Sequence, residues 1–246
     1  MTVHLHPSGH ANGLTLDGEG RLLVCEHGNR RLSRIETDGR WTVLAERYRG
    51  TRFNCPNDVI VKSDGAIYFT DPPYGIAPTE QDLPFQGVFR YAPESGEVQL
   101  LVDDFERPNG LAFSPDEQRL YIADSHRRHI RVFVVDPDGG LHDDRVFTEI
   151  RSELPGSPDG MKVDAVGQLY VAAAGGIWVF APDGERRDVI KTPETPSNCA
   201  WGDPDWKGLY ITARTSLYRI AWTTPGVPTP ATSAATVRRV VEEKGY

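Results

Sequence analysis

Asparagine or aspartate precedes a short apolar run at five places in this 246-residue chain, at intervals of roughly 40 to 50 residues. The five positions are Asn12, Asn57, Asn109, Asp159 and Asn198. Amide and carboxylate oxygens are the ligands that a hard divalent cation such as calcium prefers. If the fold brings these side chains together they form a metal site, whereas each one taken singly also suits a turn before a strand.

The segments after these residues have the pattern of β-strands joined by turns. After Asn109 we predict strands in LAFS, RLYIAD, HIRVFVVD and DRVFTEI, and after Asn57 in VIVK, AIYFTD, GVFRYA and VQLLVDD. Four strands in each repeat of this length predict an all-β fold of the β-propeller class, in which the first strands line a central channel. Such a fold gathers the five side chains at one place, which favours the metal site over five separate turns.

Composition and charge narrow the class of protein. The net charge is −8 and basic residues are mixed with acidic ones, which argues against a nucleic-acid surface. Three cysteines without a C-x-x-C pair predict neither a disulfide framework nor a cysteine zinc site, so we expect a reduced, cytoplasmic protein. No apolar stretch is long enough for a secretion signal or a membrane span. We expect one propeller domain over residues 1–222 and a linker and tail over residues 223–246.

Several motifs are similar to those of one known family. The segments VCEHGNRR, CPNDVIVKSDGAIYFTDPPYG, ERPNGLAFSPDEQRLYIADS, PDGMKVD, GGIWVF and LYITARTSLYRI resemble bacterial members of the SMP-30/gluconolactonase/luciferin-regenerating-enzyme-like family, over residues 10–222. The resemblance implies a six-bladed β-propeller, of which about five blade repeats are visible in this chain. It also implies hydrolysis of sugar lactones with one divalent metal, most often calcium, although the same oxygens would accept magnesium, manganese or zinc.

The resemblance assigns metal and catalytic roles to three of the five marked residues. Carried over by position, it implies that Asn109 in RPNG and Asp159 in SPDG are metal ligands. Asn57 in CPND matches a position that binds the substrate or the metal itself. Asp159 is also the expected catalytic residue, as the base that orients or deprotonates water.

The predicted substrate-binding residues are polar side chains at blade starts or at the channel rim: Asn57, Asp58, His27, Asn12 and Asn198. A neutral imidazole at the rim can move a proton or contact a sugar hydroxyl, so His27 is the histidine of most interest. A structural hydrogen bond is the alternative for His27, and a simple turn is the alternative for Asn12 and Asn198.

The chain departs from the family pattern at its start. Members of the family carry an earlier blade with an E-G-P-x-W-like motif, whose glutamate is a metal ligand, and this motif is absent here. We therefore expect weaker metal binding, with Glu26 as a poorly placed substitute. Five blades could close as a smaller ring, a tail strand in TVRRVV could complete a sixth blade, or two chains could associate as a homo-oligomer; the last two are favoured.

Metal-dependent hydrolysis of a sugar lactone is the function that the family resemblance implies for these residues. A metal held largely by amides acts as a Lewis acid on the lactone carbonyl, and Asp159 orients or deprotonates the attacking water. The alternative is a weakened or inactive propeller that binds a ligand or a partner protein. The chain lacks the G-x-S-x-G, H-E-x-x-H and phosphate-binding glycine motifs, which disfavours serine hydrolases, zinc peptidases and nucleotide enzymes. We expect no nucleic-acid or membrane partner.

Overall fold

A computed structural model describes residues 6–230, which form β-strands joined by turns and one short 3₁₀-helix, Pro78–Glu80. The described residues contain no helix that is long and apolar enough to cross a membrane. They form two compact units, of which the first ends at Phe105 and the second runs from Glu106 to Pro228. The strand predicted in TVRRVV lies outside the described residues.

The first unit contains two four-stranded antiparallel sheets, here called blade 1 and blade 2, with a short hairpin between them in the chain. The strands of blade 1 are β1 (Ala11–Leu16), β2 (Leu22–Glu26), β3 (Arg31–Ile35) and β4 (Trp41–Ala45). The hairpin strands are β5 (Arg47–Tyr48) and β6 (Thr51–Arg52). The strands of blade 2 are β7 (Val59–Val61), β8 (Ile67–Asp71), β9 (Gln86–Ala92) and β10 (Glu97–Phe105).

The second unit contains blades 3, 4 and 5, whose strands also pair antiparallel in chain order. Blade 3 consists of β11 (Pro108–Phe113), β12 (Arg119–Asp124), β13 (His129–Val135) and β14 (Leu141–Glu149). Blade 4 consists of β15 (Met161–Val163), β16 (Leu169–Ala173), β17 (Gly176–Phe180) and β18 (Arg186–Lys191). The described strands of blade 5 are β19 (Pro196–Gly202), β20 (Gly208–Ala213) and β21 (Ser216–Ala221). All eight strands predicted after Asn57 and Asn109 are present, which confirms the all-β prediction.

Apolar side chains fill the space between neighbouring blades within each unit. In the first unit the rings of Phe53, Phe69 and Phe89 are fully buried, with centroids 5.1 to 5.4 Å apart. In the second unit the rings of Tyr121 and Phe147 lie 4.8 Å apart between blades 3 and 4. Each such aromatic pair contributes roughly 0.5–1.5 kcal/mol beyond its buried area. These clusters fix the blades against each other within a unit and hold their first strands in place.

Buried aspartates at the ends of second strands hold the loops that lead into the first strands. Asp71 accepts a hydrogen bond at 2.7 Å from the backbone nitrogen of Asn54. At the corresponding place in blade 3, Asp124 accepts from the backbone nitrogens of Glu106 at 2.9 Å and Arg107 at 3.3 Å. Both aspartates are fully buried. Each one therefore positions the chain just before a predicted site residue.

Burial raises the pKa of Asp71 to about 8, and its Oδ1 has no hydrogen-bond partner among the described residues. Because the ordinary pKa is about 3.9, the unfolded chain releases this proton at a lower pH than the folded protein does. Asp71 therefore lowers the free energy of unfolding as the pH rises from about 4 to about 8, by at most about 1.4 kcal/mol per pH unit. In Asp71→Asn this decline should be absent.

Urea unfolding of both proteins at several pH values between 5 and 7.5 measures this slope. The slope is compared rather than the absolute stability, since the asparagine also buries an amide group without a partner. The matched control is Asp183→Asn, at an exposed turn in blade 4, which should unfold with the wild-type pH dependence. Parallel curves for the wild type and Asp71→Asn would show that Asp71 is ionised in the folded protein.

The chain returns to blade 4 after the last described strand. Ala165 donates a backbone hydrogen bond to Pro225 at 2.9 Å, and Val227 donates one to Val163 at 3.2 Å. The side chain of Val227 also packs on the core between blades 3 and 4. The first residues of the predicted linker are therefore bound to the second unit, while residues 231–246 of the predicted tail lie outside the described part of the chain.

Candidate functional site

A β-bulge starts the first strand of every blade. In blade 2, Asn57 donates a backbone hydrogen bond to Thr70 at 2.7 Å, and the Thr70 nitrogen donates one to the backbone oxygen of Asp58 at 3.1 Å. Two residues of the first strand, Asn57 and Asp58, therefore lie opposite the single residue Thr70 of the second strand. Bulges of this kind redirect side chains and are frequent beside active sites. By the same register, the first bulge residues are Asn12, Asn57, Asn109, Asp159 and Ser197, and the second ones are Gly13, Asp58, Gly110, Gly160 and Asn198.

Blade 5 corrects the position predicted for Asn198. The register of β19 shifts between Pro196 and Asn198, which makes Ser197 the first bulge residue. Gly160 donates a backbone hydrogen bond to Ser197 at 2.9 Å, just as the corresponding glycine of blade 1 donates to Asn57 at 2.7 Å. The predicted equivalence of Asn198 and Asn57 is therefore wrong by one residue, because the residue after the proline, and not the asparagine, holds the first bulge position. A substrate contact from Asn198 stays a prediction.

Glycine at the second bulge position allows neighbouring first strands to come very close. A Cβ on Gly110 would lie 2.2 Å from the backbone oxygen of Asp159, and a Cβ on Gly13 would lie 2.4 Å from that of Asn57. The first bulge residues of adjacent blades within a unit are therefore close neighbours. Asn12 lies next to Asn57 in the first unit, and Asn109 lies next to Asp159 in the second.

Three of the predicted substrate-binding residues form one hydrogen-bonded cluster in the first unit. Asn12 Nδ2 donates to Asn57 Oδ1 at 2.8 Å and to the Asn57 backbone oxygen at 2.9 Å. His27 Nε2 lies 3.1 Å from the same Oδ1 and therefore carries the proton. Burial lowers the pKa of His27, and the hydrogen bond to Asn57 offsets part of that effect. The imidazole is thus a neutral donor, and the amide nitrogen of Asn57 lies on the side away from Asn12 and His27.

Asp58 is directed differently from Asn57, although the two residues are adjacent in sequence. Its carboxylate accepts a hydrogen bond from the backbone nitrogen of Val59 at 3.0 Å and lies against Gly13 of blade 1. The side chain is almost fully buried. This position is that of a residue that packs between first strands, and a substrate contact from Asp58 stays a prediction.

The two predicted metal ligands of the second unit are connected through a serine that the sequence did not single out. Asn109 Nδ2 donates to Ser125 Oγ at 2.9 Å, and Ser125 Oγ donates to the backbone oxygen of Pro158 at 2.5 Å. Asn109 is buried and Asp159, which follows Pro158, is partly exposed. The only signal for Ser125 in the sequence is its place directly after a second strand, where serine is common for reasons of turn formation.

Glu26 is held by partners within its own blade. Its carboxylate is buried, and Arg31 Nε donates to its Oε1 at 2.6 Å. The Ser33 hydroxyl and the Asn29 amide also donate to it. A carboxylate with these partners within its own blade is a structural ion pair, which agrees with the expectation that Glu26 is poorly placed to bind a metal.

Asn109 and Asp159 fit a hard divalent cation as an amide and carboxylate pair. Within residues 6–230 no three histidine, cysteine, aspartate or glutamate side chains are grouped so that they could hold a metal ion. Calcium takes six to eight oxygen ligands, so one carboxylate and one amide leave most positions to water or substrate. Asn57 fits the role of ligand less well, because its side-chain oxygen already accepts hydrogen bonds from Asn12 and His27.

A cleft of about 610 Å³ lies elsewhere in the second unit. Its walls include Leu154, Trp178, Arg186 and Lys191, and none of the predicted site residues lines it. The Arg186 guanidinium lies over the Trp178 ring at 5.2 Å from its centroid. This cleft is therefore distinct from the bulge residues that carry the proposed chemistry.

Repeated four-stranded antiparallel sheets, each opening on a polar bulge residue, define the class of protein as a β-propeller. A solved structure of a gluconolactonase from Xanthomonas campestris matches with a TM-score of 0.81 and 39% identity, over 90% of this chain and 74% of that one. A calcium-binding regucalcin from Agrobacterium tumefaciens matches in fold, with a TM-score of 0.64 and 18% identity, over 89% of this chain and 92% of that one.

Sequence comparison identifies the family. The family profile described as "SMP-30/Gluconolactonase/LRE-like region" matches residues 2–215. A gluconolactonase from Zymomonas mobilis is 36% identical over 92% of this chain and 70% of its own length. This chain spans 48% and 66% of the lengths of two further curated relatives. The chain belongs to the SMP-30/gluconolactonase/LRE-like family, which confirms the resemblance noted in its motifs.

Proposed function

We propose that this protein hydrolyses sugar lactones of the gluconolactone type. The observation that carries the proposal is the pair of Asn109 and Asp159 on adjacent first strands, with the nitrogen of Asn109 bound to Ser125. This pair occurs in a chain that is 36% identical to a gluconolactonase. The roles of the individual residues are our proposal from this arrangement and from the family resemblance.

Asp159 is proposed as the residue that orients and deprotonates the attacking water. Asp159 is partly exposed, as a residue that receives a proton from water must be. A divalent cation such as calcium, held by Asn109 and Asp159, would supply Lewis acidity toward the lactone carbonyl.

The cluster of the first unit is proposed to bind substrate. The oxygen of Asn57 is held by Asn12 and His27, so the amide nitrogen is the atom of this side chain that we propose as a donor to a lactone or hydroxyl oxygen. His27 is neutral and holds this amide in place, which gives the imidazole a definite structural role. The arrangement favours substrate binding by Asn57, and metal binding by Asn57 is the second proposal.

A propeller that binds a ligand without turnover is the second candidate. It is favoured by the single carboxylate among the proposed ligands, since a cation bound by few anionic groups has low affinity. For both candidate functions we propose a cytoplasmic location. Cys25, Cys55 and Cys199 are buried free thiols, as expected under reducing conditions.

Hydrolysis of glucono-1,5-lactone by metal-stripped protein tests the proposal. Acid release is followed with a pH indicator, the spontaneous rate is subtracted, and calcium, magnesium, manganese and zinc are added back separately. We expect turnover that depends on one or more of these ions and saturates with ion concentration near 10⁻⁴–10⁻³ M for calcium. Saturable ion binding without turnover of this lactone or a pentonolactone would instead support the ligand-binding candidate.

A further inference from the structure

We propose that the cleft of the second unit binds an organic anion, meaning a carboxylate joined to an apolar chain or ring. Arg186 binds the carboxylate, Lys191 adds a second positive charge, and Leu154 and Val189 contact the apolar part. The cleft is distinct from the bulge residues. The inference therefore stands or falls independently of lactone hydrolysis.

The cleft is formed by close packing of the loops around it. Its volume of about 610 Å³ lies in the range of sites that bind small molecules. A Cβ on Gly156 would lie 2.9 Å from Ala174 Cα, and a Cβ on Gly175 would lie 2.6 Å from Leu154 Cδ1. The loop before blade 4 and the turn between β16 and β17 are thus in direct contact, so the walls are in place before a ligand binds.

A bulge in the outer strand β18 directs Arg186 into the cleft. The register of β17 with β18 pairs Trp178 with Val189 and Phe180 with Arg186, and it shifts next to Phe180. Side chains alternate along a regular strand, so without the extra residue Arg186 and Val189 would lie on opposite faces of the sheet. The bulge brings both to the face of Trp178, and the Arg186 guanidinium lies over that ring at 5.2 Å from its centroid.

The two cations of the cleft lack an anionic partner within the part of the chain that the structure describes. Arg187, the next residue in the bulge, pairs with Glu185 at 3.0 Å, whereas no ion pair or side-chain hydrogen bond connects Arg186 or Lys191 with another described residue. A guanidinium that stacks on an aromatic face keeps its N–H edge for the two oxygens of a carboxylate. In a chain of net charge −8, such a pair of cations indicates an anionic ligand.

Glu194, a carboxylate at the rim of the cleft, is already engaged elsewhere. It accepts hydrogen bonds from the backbone nitrogen of Thr215 at 2.9 Å, the Thr215 hydroxyl at 2.7 Å and the Ser216 hydroxyl at 3.2 Å. Both of its oxygens are therefore bound to the turn between β20 and β21 of blade 5. Glu194 thus leaves the two cations to an external anion.

The remaining wall between the two cations is apolar. Val189 lies between Arg186 and Lys191 on the same face of β18 and packs on the core of blades 3 and 4. Leu154 is 57% exposed, which is unusual for a large apolar side chain at the edge of a cleft. A ligand that covers Leu154 and Val189 removes apolar surface from water, which a bare inorganic anion cannot do. The chemistry of the walls therefore favours an organic carboxylate.

Two-dimensional NMR of the ¹⁵N-labelled full chain tests the proposal, with 3-phenylpropionate as the probe. The chain has five tryptophans, and Trp178 is the one that lines the cleft. Its indole nitrogen donates to the backbone oxygen of Ala174 at 2.9 Å, and the signal is identified by its loss in Trp178→Phe. We expect this signal to shift saturably with a Kd of about 1 mM or below, while the other indole signals stay in place.

Variants of two adjacent arginines separate a specific contact from general attraction. Arg186→Gln should weaken binding of the probe by about tenfold or more, because it removes a charged donor. The matched control Arg187→Gln removes the same charge one residue away, where the side chain pairs with Glu185, and should bind as the wild type does. Equal weakening in both variants would show that net charge alone attracts the probe, and would overturn the site.

Related probes test the two parts of the ligand separately. Acetate lacks the ring and 3-phenylpropan-1-ol lacks the charge, so each should bind at least about tenfold more weakly than 3-phenylpropionate. Acetate or inorganic phosphate binding as tightly as 3-phenylpropionate would refute the apolar contact, and equally tight binding of the alcohol would refute the contact with Arg186. No shift of the Trp178 signal at about 10 mM probe would refute the proposal as a whole.

Discussion

Asp159→Asn should lose nearly all lactone hydrolysis while keeping the wild-type fold. The substitution preserves the size and shape of the side chain and removes only its charge and its ability to accept a proton. Loss of a general base typically costs 10²- to 10⁴-fold in rate, and the loss of the single anionic ligand should weaken the cation as well. We expect kcat/KM for glucono-1,5-lactone to fall by at least about 10²-fold, measured with the spontaneous rate subtracted and with calcium in large excess.

The matched control is Asp183→Asn in the same blade. Asp183 is exposed at a turn, where its carboxylate accepts a hydrogen bond from the backbone nitrogen of Glu185 at 3.0 Å. This variant should keep wild-type activity, which shows that the loss in Asp159→Asn is specific to its position. If Asp159→Asn retained more than about a third of the activity, another residue would have to be the general base. His27 in the first unit would then be the first residue to replace.

The strand pattern and the close approach of Asn12 to Asn57 could be predicted because the underlying motif repeats along the chain. Short β-branched and aromatic runs between turns mark the strands, and residues at the same point of each repeat must occupy equivalent places in the fold. Asn12 and Asn57, which are 45 residues apart in sequence, indeed share hydrogen bonds. The repeat therefore carries long-range information that an isolated motif does not.

The pairing register of the first strand in blade 5, the repeat least similar to the others, could not be predicted from the sequence. Asn198 has the residue type that marks the other repeats. Ser197, which follows a proline, holds the position equivalent to Asn57 and Asn109. Residue chemistry is a poor guide there, because both residues suit a bulge and only the hydrogen bonds between strands decide between them. A proline at the preceding position, as in CPND, RPNG and SPDG, was the better marker.

The orientation of the two amides could not be predicted from sequence at all. Asn57 and Asn109 stand in nearly identical motifs, yet one directs its oxygen to Asn12 and His27, and the other directs its nitrogen to Ser125. Two of these partners, Ser125 and His27, lie directly after second strands, 16 and 30 residues away in sequence. Whether an asparagine serves as a cation ligand or as a donor thus depends on neighbours that its motif does not contain.

Gly110→Ala should destabilise the protein by about 3 kcal/mol or more, although glycine at a strand start would ordinarily be replaced at little cost. The added Cβ would lie 2.2 Å from the backbone oxygen of Asp159 and 2.8 Å from Gly160 Cα. Backbone atoms in paired strands cannot rotate away as a side chain can, so blades 3 and 4 must separate. For a chain of this size we expect the melting temperature to fall by roughly 6–12 °C.

The control for this change is Gly18→Ala, in the turn between the first two strands of blade 1, where no heavy atom lies within 4 Å of the added Cβ. Its stability should change by less than about 0.5 kcal/mol. If Gly110→Ala also melts like the wild type, the close approach of the two first strands is refuted. If it is destabilised as expected, any folded fraction should also bind calcium more weakly. The same displacement that relieves the clash moves Asp159 away from Asn109, so that the glycine of RPNG supports the site through the backbone alone.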